Sequence, residues 1–427
     1  MKPINYILSL ASVCVLFACG NEDTPKEILP SVIEPDATIS LLVNTGEKAQ
    51  LKSFTKADAP TIDDNKIARL TVAVFNAGAY DGHTMGALEV LKTETAEGDQ
   101  SITQVEDIEV KSGPVKVLVL ANLPESLLKE FTTEGKTFTI DDFIGENAKT
   151  TVLSDEINVT ASSEVYDITT QRGKVNCLGY TNSEVGNKTN GVSVSPTTLG
   201  ENTIPLYRNV SRVLLNKINF TPKEQYIDAS LEIKGIYVAN VKSKSYLASE
   251  TKGRGSVEVA DIAANDFYWC GAFNEKTGAL KEGKAKEMSE LLLYTPEEKS
   301  MILNSEKTQV SDTPIGKPFY VYQNQTGKNH TLLIVYGTFK YKVNETDAEY
   351  QEQQSFYTVI VNEPGKGSFE SESEKHEYVT RNFNYNIELT ISGSGSTEPY
   401  DKAISSNLST SVKVLPWNVK IIHEDVE

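Results

Sequence analysis

Residues 68–75 read ARLTVAVF, a short run of apolar and β-branched residues that decides the fold of this chain. Runs of this length and composition are typical of β-strands with a buried face. Similar runs recur along the whole sequence, separated by turns rich in Gly, Asn, Asp and Ser. They cover residues 39–43, 115–120, 210–215, 231–238, 319–322, 331–336, 356–361 and 385–391. The sequence therefore predicts a mainly β protein.

Helical patterns are few. Residues 124–131 begin with Pro, which is favoured in the first turn of a helix, and residues 287–293 form a second short candidate. Many short strands with few helices favour β-sandwiches. We therefore predict two β-sandwich domains of the transthyretin-like kind with a few short helices.

The length of 427 residues suggests two domains. Residues 182–203 are rich in Ser, Asn, Thr and Gly, so they are predicted to separate two strand-rich halves. We expect an N-terminal domain over residues 36–204. The C-terminal domain is expected to span residues 205–427.

The first eighteen residues have the layout of a secretory signal peptide: one charged side chain, Lys2, followed by a short apolar run. Residues 16–20 read LFACG, which is typical of a bacterial lipobox whose Cys19 receives the lipid. The alternative is an ordinary signal peptide with an incidental Cys. Residues 21–27 are polar and contain Pro, so residues 19–35 are expected to form a flexible tether. The sequence thus predicts an exported lipoprotein held by its acyl groups.

Composition limits the possible partners. The net charge of −18 and the pI near 4.9 would repel phosphate backbones, so nucleic acid is not expected as a partner. Besides Cys14 in the signal peptide and Cys19, the chain has Cys177 and Cys270. These two lie far apart in sequence, and a disulfide between them is the less favoured alternative.

No catalytic or metal-binding pattern stands out. The four His residues share no paired spacing, and no phosphate-binding loop, nucleophile elbow or CxxC motif occurs. We therefore expect no enzyme activity, no metal and no cofactor. Trp269, Tyr320 and Tyr322 could form a carbohydrate-stacking surface, but aromatic residues in strands are more often core.

Two terminal segments have the alternation of strands that could pair with another chain. Near the N-terminus, Ile39, Leu41 and Val43 present one apolar face ahead of a loose region over residues 46–64. Near the C-terminus, residues 411–423 form a candidate strand with a bulge or bend expected at residues 415–416. Its apolar positions are Val412, Val414, Trp417, Val419 and Ile421. Natural proteins cover such apolar edge strands or use them for pairing.

These features together resemble the fimbrillin family of Bacteroidales type V pili. The lipobox, the pair of segments at residues 36–40 and 66–76, and residues 105–122 are similar to the start of the long-fimbria subunit. Residues 208–213 and 381–393 resemble the strands that open and close the second half of fimbrillins. Residues 412–419 are similar to the C-terminal strand of short-fimbria shaft subunits.

The resemblance implies how the subunit matures and assembles. In that family a trypsin-like protease removes the lipidated segment with the first strand, and a neighbouring subunit's C-terminal strand fills the groove. Here the displaced strand would carry Ile39, Leu41 and Val43. No Arg lies between Cys19 and Arg69, so cleavage is expected between Lys56 and Ala57, with the bond between Lys52 and Ser53 as second choice.

The expected function is a structural pilus subunit of the outer membrane and cell-surface fimbrium that supports adhesion. Its expected partners are identical or related pilin subunits through strand exchange, the outer membrane through the precursor's lipid, and a surface receptor that the sequence does not name. Two alternatives stay open: a fimbrial anchor subunit that keeps its lipid, and a monomeric surface glycan-binding lipoprotein.

Overall fold

The structure, a computed structural model, describes most of the chain between residues 35 and 416. It covers residues 35–44, 66–78, 84–98, 100–144, 149–152, 159–178, 204–248, 267–268, 293–296, 301–311, 315–325, 330–399 and 407–416. Several residues singled out in the sequence lie outside these ranges: Cys19, Lys52, Ser53, Lys56, Ala57, Cys270, Trp417, Val419 and Ile421.

Strands dominate the described residues, which confirms the predicted mainly β fold. In chain order, β1 to β25 are Ala37–Asn44, Arg69–Asn76, Leu88–Thr95, Gln104–Val110, Gly113–Ala121, Thr150–Val152, Ala161–Ser162, Tyr166–Thr170, Val175–Leu178, Ile204–Pro205, Tyr207–Arg208, Val210–Phe220, Ile227–Ala239, Val241–Lys242, Lys244–Tyr246, Phe267–Tyr268, Leu293–Tyr294, Ile302–Leu303, Gln309–Val310, Phe319–Tyr322, Leu332–Lys342, Gln351–Ile360, Gly367–Phe369, Phe383–Ile391 and Leu408–Pro416.

The described helices are short. They are α1, Glu125–Phe131, and two 3-10 helices at Ile140–Asp142 and Glu372–Glu374. Pro124 directly precedes α1, close to its predicted place in the first turn. The second predicted helix differs: Leu293 begins a strand, and residues 287–292 lie outside the described part. In that part, no helix has the length and apolar character needed to cross a membrane.

The N-terminal half is a sandwich of two sheets. One sheet has the order β10-β1-β4, with β9 also paired to β1; the other has the order β11-β7-β5-β2-β3, with β8 paired to β5. Alternate residues from both sheets, such as Ile39 and Val105 from the first and Val72 and Val117 from the second, share one buried cluster. This packing is the interior of a β-sandwich.

The C-terminal half is a second sandwich. Its sheets have the orders β19-β12-β24-β25-β23 and β17-β13-β21-β22, with β20 paired to β12 and β18 to β13. Their facing sides form one cluster that includes the fully buried rings of Tyr322, Tyr357 and Tyr385. The hydroxyl of Tyr357 donates a hydrogen bond to the carbonyl of Gly393 at 3.0 Å, so this buried hydroxyl has a partner inside the core.

The sheet containing β2 and β5 is buried on both faces, which explains the nearly continuous apolar run at residues 68–75. The outer face carries Phe75, Leu118 and Leu120. Helix α1 covers this face with Leu127 and Phe131. A strand buried on both faces needs apolar residues at successive positions instead of simple alternation.

The two halves are joined by strands as well as by the chain. β11 pairs with β7 of the N-terminal sandwich, and after Asn209 the chain continues directly into β12 of the C-terminal sandwich. β15 also pairs with β6, and Leu247 packs into the cluster around α1. The N-terminal sheets thus extend to Arg208, a few residues beyond the expected boundary at Pro205.

Substitution Phe143→Ala should lower the free energy of unfolding by about 3–5 kcal/mol, because it removes a buried ring from the cluster around α1. Phe143 stacks on Phe131 at 4.0 Å between ring centroids and meets the edge of Phe75 at 5.1 Å. Urea unfolding followed by circular dichroism measures the loss. Met85→Ala is the control, since Met85 is 69% exposed and should change stability by less than about 0.5 kcal/mol.

Candidate strand-exchange groove

Strand β1 lies in the interior of its sheet and has partners along both edges. On one edge it runs antiparallel to β4, with Thr38 opposite Glu109 and Leu41 opposite Val105. On the other edge it runs parallel to β9 over Thr38 to Leu41 and then parallel to β10 at Val43 and Asn44. Removing β1 would therefore leave a gap bounded by strands on both sides.

The inward face of β1 is part of the core. Ile39 and Leu41 are fully buried and Val43 is 2% exposed. These side chains share the buried cluster with Ile108 of β4 and Val74 of the facing sheet. Burial of apolar area is worth about 25 cal/mol per Å², so this face contributes strongly to holding β1 in place.

A β-bulge fixes the register of β1 against β4. Between the pairs Ile39–Ile108 and Leu41–Val105, β1 has one residue, Ser40, and β4 has two. Asp107 has a positive φ of 53° at the bulge, and its backbone N–H donates to Oγ of Ser40 at 3.2 Å. A bulge of this kind disfavours a slip of the strand by one residue.

Asp36, directly before β1, is held by two turns at the mouth of the groove. Its carboxylate accepts from the backbone N–H of Ser112 at 2.6 Å, from Oγ of Ser112 at 3.1 Å and from Nζ of Lys111 at 3.0 Å. Nε of Arg172, in the turn between β8 and β9, lies 3.6 Å away. We refer to Lys111, Ser112 and Arg172 as the carboxylate clasp.

The clasp strongly favours the ionised form of Asp36. The backbone N–H of Ser112 and the ammonium of Lys111 lower the pKa of Asp36 from 3.8 to about 2. The backbone of Asp36 is held as well: its N–H donates to the carbonyl of Val110, and its carbonyl accepts from Gly173. The start of β1 is thus fastened to both neighbouring strands.

The C-terminal strand β25 pairs within its own chain. It runs antiparallel to β24 from the pair Phe383–Pro416 to the pair Ile391–Leu408, and parallel to β23 on its other edge. Val412 and Val414 are buried in the core of the C-terminal sandwich. In this structure both residues thus belong to a strand paired within its own chain, and their expected part in a donor strand stays a prediction.

The described residues contain no cluster of three or more His, Cys, Asp or Glu side chains that could hold a metal ion. Cys177 lies on β9, opposite Ser40, and its expected lack of a disulfide with Cys270 stays a prediction. Tyr320 and Tyr322, considered as a sugar-stacking surface, are buried at 7% and 0% exposure. They are core residues.

Sequence reasoning missed the carboxylate clasp. The three charged residues lie beside turns of an acidic chain: Asp36, Lys111 and Arg172. Charged residues in such positions are usually exposed to solvent. Only the pairing of β1 with both β4 and β9 brings the two turns together around one carboxylate.

Substitution Asp36→Asn should lower the melting temperature at pH 7, and the difference from the unsubstituted chain should vanish as the pH falls towards 2. A carboxylate with a lowered pKa stabilises the folded state above its unfolded pKa of 3.8 and loses this contribution as the pH falls through about 2. Thermal unfolding across this range measures it. The exposed Glu134→Gln serves as control, and a difference that is constant with pH would contradict the assignment.

Comparison with known families matches the two halves of the chain separately. Residues 37–208 match the family model described as major fimbrial subunit protein (FimA), so the match begins at β1 and ends at the last residue of β11. Residues 284–419 match the model described as fimbrium tip subunit Fim1C-like, C-terminal domain. No curated protein sequence matches the chain.

Two solved structures share the fold of this chain. A protein from Parabacteroides distasonis described as a candidate cell adhesion protein is 25% identical, with a TM-score of 0.63 over 90% of this chain and all of that one. A fimbrilin from Porphyromonas gingivalis W83 shares the fold at 19% identity, with a TM-score of 0.55 over 91% of this chain and 99% of that one. The chain is thus similar to fimbrial subunit proteins over both halves: residues 37–208 resemble the major-subunit family and residues 284–419 resemble the C-terminal domain of tip subunits.

Proposed function

We propose that this fimbrial subunit is a shaft pilin, exported as a lipoprotein, trimmed at its N-terminus and polymerised by strand exchange. The observation that carries the proposal is the position of β1: it is an interior strand with a buried apolar face, and residues 45–68 connect it along the chain to β2. Cleavage of that connection would separate β1 from the rest of the chain without cutting any other strand that the structure describes.

Loss of β1 would create a strong demand for a replacement. The carbonyls of Thr103, Val110 and Lys174 accept hydrogen bonds from the backbone of residues 36–43 and would lose them together. Unpaired backbone groups and an exposed apolar core are both costly. An incoming strand with alternating apolar residues restores the ladder and the burial at once.

The replacement comes, in this proposal, from the segment that follows β25 in a neighbouring subunit. Trp417, Val419 and Ile421 alternate as Ile39, Leu41 and Val43 do. Val412 and Val414 keep their places in the chain's own sheet, and Pro416 is the last residue that the structure describes in that pairing. Pro cannot donate to a ladder, so it separates two pairing segments naturally.

Export and trimming follow from the N-terminal sequence. The lipid on Cys19 would hold the precursor at the outer membrane until a protease cuts after Lys56, or alternatively after Lys52. The trimmed subunit would then belong to a cell-surface fimbrium that supports adhesion. A chain that retains its lipid would instead act as an anchor.

A tip subunit is the second candidate, favoured by the match of residues 284–419 to a tip-subunit domain. A tip subunit accepts a strand from its neighbour but donates none outward. The two candidates therefore differ in whether residues 417–423 are needed for polymerisation.

Polymerisation should be lost when Trp417, Val419 and Ile421 are all replaced by Ser, because the donor would no longer bury apolar area in the groove. Polymers are measured as ladders of unheated, trimmed protein on denaturing gels. The matched control replaces the neighbouring polar Asn418 by Ser. The substitutions are confined to residues after Pro416. Truncation from residue 411 would also remove the buried Val412 and Val414 and unfold the subunit.

Ladders from the triple Ser variant that equal those of the unsubstituted chain would contradict donation by residues 417–421. Trimmed, unsubstituted protein that forms no ladders of its own would favour a tip subunit, which donates no strand. Binding of a polysaccharide by monomeric protein in affinity electrophoresis, with no ladders from any variant, would favour the glycan-binding alternative.

Trimming should be blocked by the double substitution Lys52→Gln and Lys56→Gln, because both expected sites lose the basic residue that a trypsin-like protease recognises. N-terminal sequencing of protein shed from cells is the measurement. We expect a start at Ala57, or at Ser53 as second choice, in the unsubstituted chain. A blocked, acylated Cys19 in assembled material would point to an anchor subunit.

A further inference from the structure

The carboxylate clasp lies at the end of the groove where β1 begins. Within the described residues, Asp36 is the only carboxylate that contacts Lys111 or Arg172. Cleavage after residue 52 or 56 would remove Asp36 together with β1. The trimmed subunit would then present the N–H and Oγ of Ser112 with two cations around a position built for a carboxylate.

We propose that the clasp binds the carboxylate of Glu424 from the neighbouring subunit, so that the donor segment enters the groove with polarity opposite to that of β1. This inference rests on the proposed strand exchange and adds its direction and register. Residues 423–427 read HEDVE, so the acidic end of the donor complements the two cations of the clasp.

The spacing of the donor sequence fits the groove in this direction. Ile421 takes the place of Ile39, Val419 that of Leu41 and Trp417 that of Val43. Counting outward from Ile421 by three residues reaches Glu424, and counting outward from Ile39 by three reaches Asp36. One register therefore satisfies both the three apolar positions and the carboxylate position.

A donor that runs in the same direction as β1 would lose one of the hydrogen bonds that β1 makes. With Trp417 at the place of Ile39, Pro416 would fall at the place of Thr38. The backbone N–H of Thr38 donates to the carbonyl of Lys174 at 3.1 Å, and Pro has no N–H to replace it. The clasp would face the apolar Val414 in that register.

Charge at the bulge favours the same conclusion. Reversed polarity puts Lys420 at the place of Ser40, opposite Glu106 and Asp107 of β4. Same-direction pairing puts the neutral Asn418 there, and it moves Lys420 opposite Gln104. Opposite charges on facing strands stabilise a pair, so β4 is better matched by the reversed donor.

Cross-linking between subunits distinguishes the two directions. A donor with Ile422→Cys should lie opposite residue 109 in the reversed arrangement and opposite residue 102 in the same-direction one, where it takes the place of residue 44. Seven residues along the extended chain separate these positions by about 23 Å, so a short thiol reagent reports one or the other. Both subunits also carry Cys177→Ser and Cys270→Ser, so that only the introduced thiols react.

We expect cross-linked ladders with Glu109→Cys and none with Ile102→Cys. Cross-links through residue 102, or ladders that cross-link through neither residue, would overturn the reversed direction while leaving strand exchange intact. Polymerisation by the triple Ser variant of the donor would instead overturn the proposed function itself, so the two failures are distinguishable.

The clasp is tested by a charge exchange. Lys111→Glu should slow ladder formation by trimmed protein about tenfold at low salt, because it places a like charge beside Glu424. Adding Glu424→Lys in the same chain should restore most of the rate. Lys116→Glu on β5, which lies outside the clasp, is the control. Unchanged rates with Lys111→Glu, or no rescue in the folded double variant, would overturn the role of the clasp.

Discussion

An interior β-strand uses the hydrogen-bonding groups of both its edges, and β1 is such a strand. The strands on either side of it lie two strand spacings apart, about 10 Å, which is too far for direct pairing. A sandwich that lost β1 could not repair itself by a small movement of β4 or β9. The demand for a replacement strand thus follows from backbone geometry, and the apolar side chains decide which sequence can meet it.

Sequence patterns predicted the type of fold and the inward face of β1, because alternation of Ile39, Leu41 and Val43 has a direct physical meaning. The partners of that strand could not be predicted. β9 and β10 are short, come from the distant residues 175–178 and 204–205, and pair in parallel with β1. Parallel pairing of short strands leaves little trace in local sequence, since no tight turn connects the partners.

Two further features depend on the tertiary structure. The alternation of Val412 and Val414 suits both a donor strand and a strand paired inside its own sheet, and β24 is their partner within the chain. Asp36 preceded an obvious strand, but its role depends on two turns that lie far from it in sequence. Charged residues are informative only once the fold shows what they face.

The passage from β11 to β12 has a mechanical consequence. One nearly continuous strand belongs to both sandwiches, with only Asn209 between its two paired parts, and Asn209 is itself buried and bonded to the carbonyl of Thr160. There is no slack linker about which one half could swing. Tension along such a strand loads many ladder hydrogen bonds in shear at the same time, so the junction between the two sandwiches resists stretching as a sheet does.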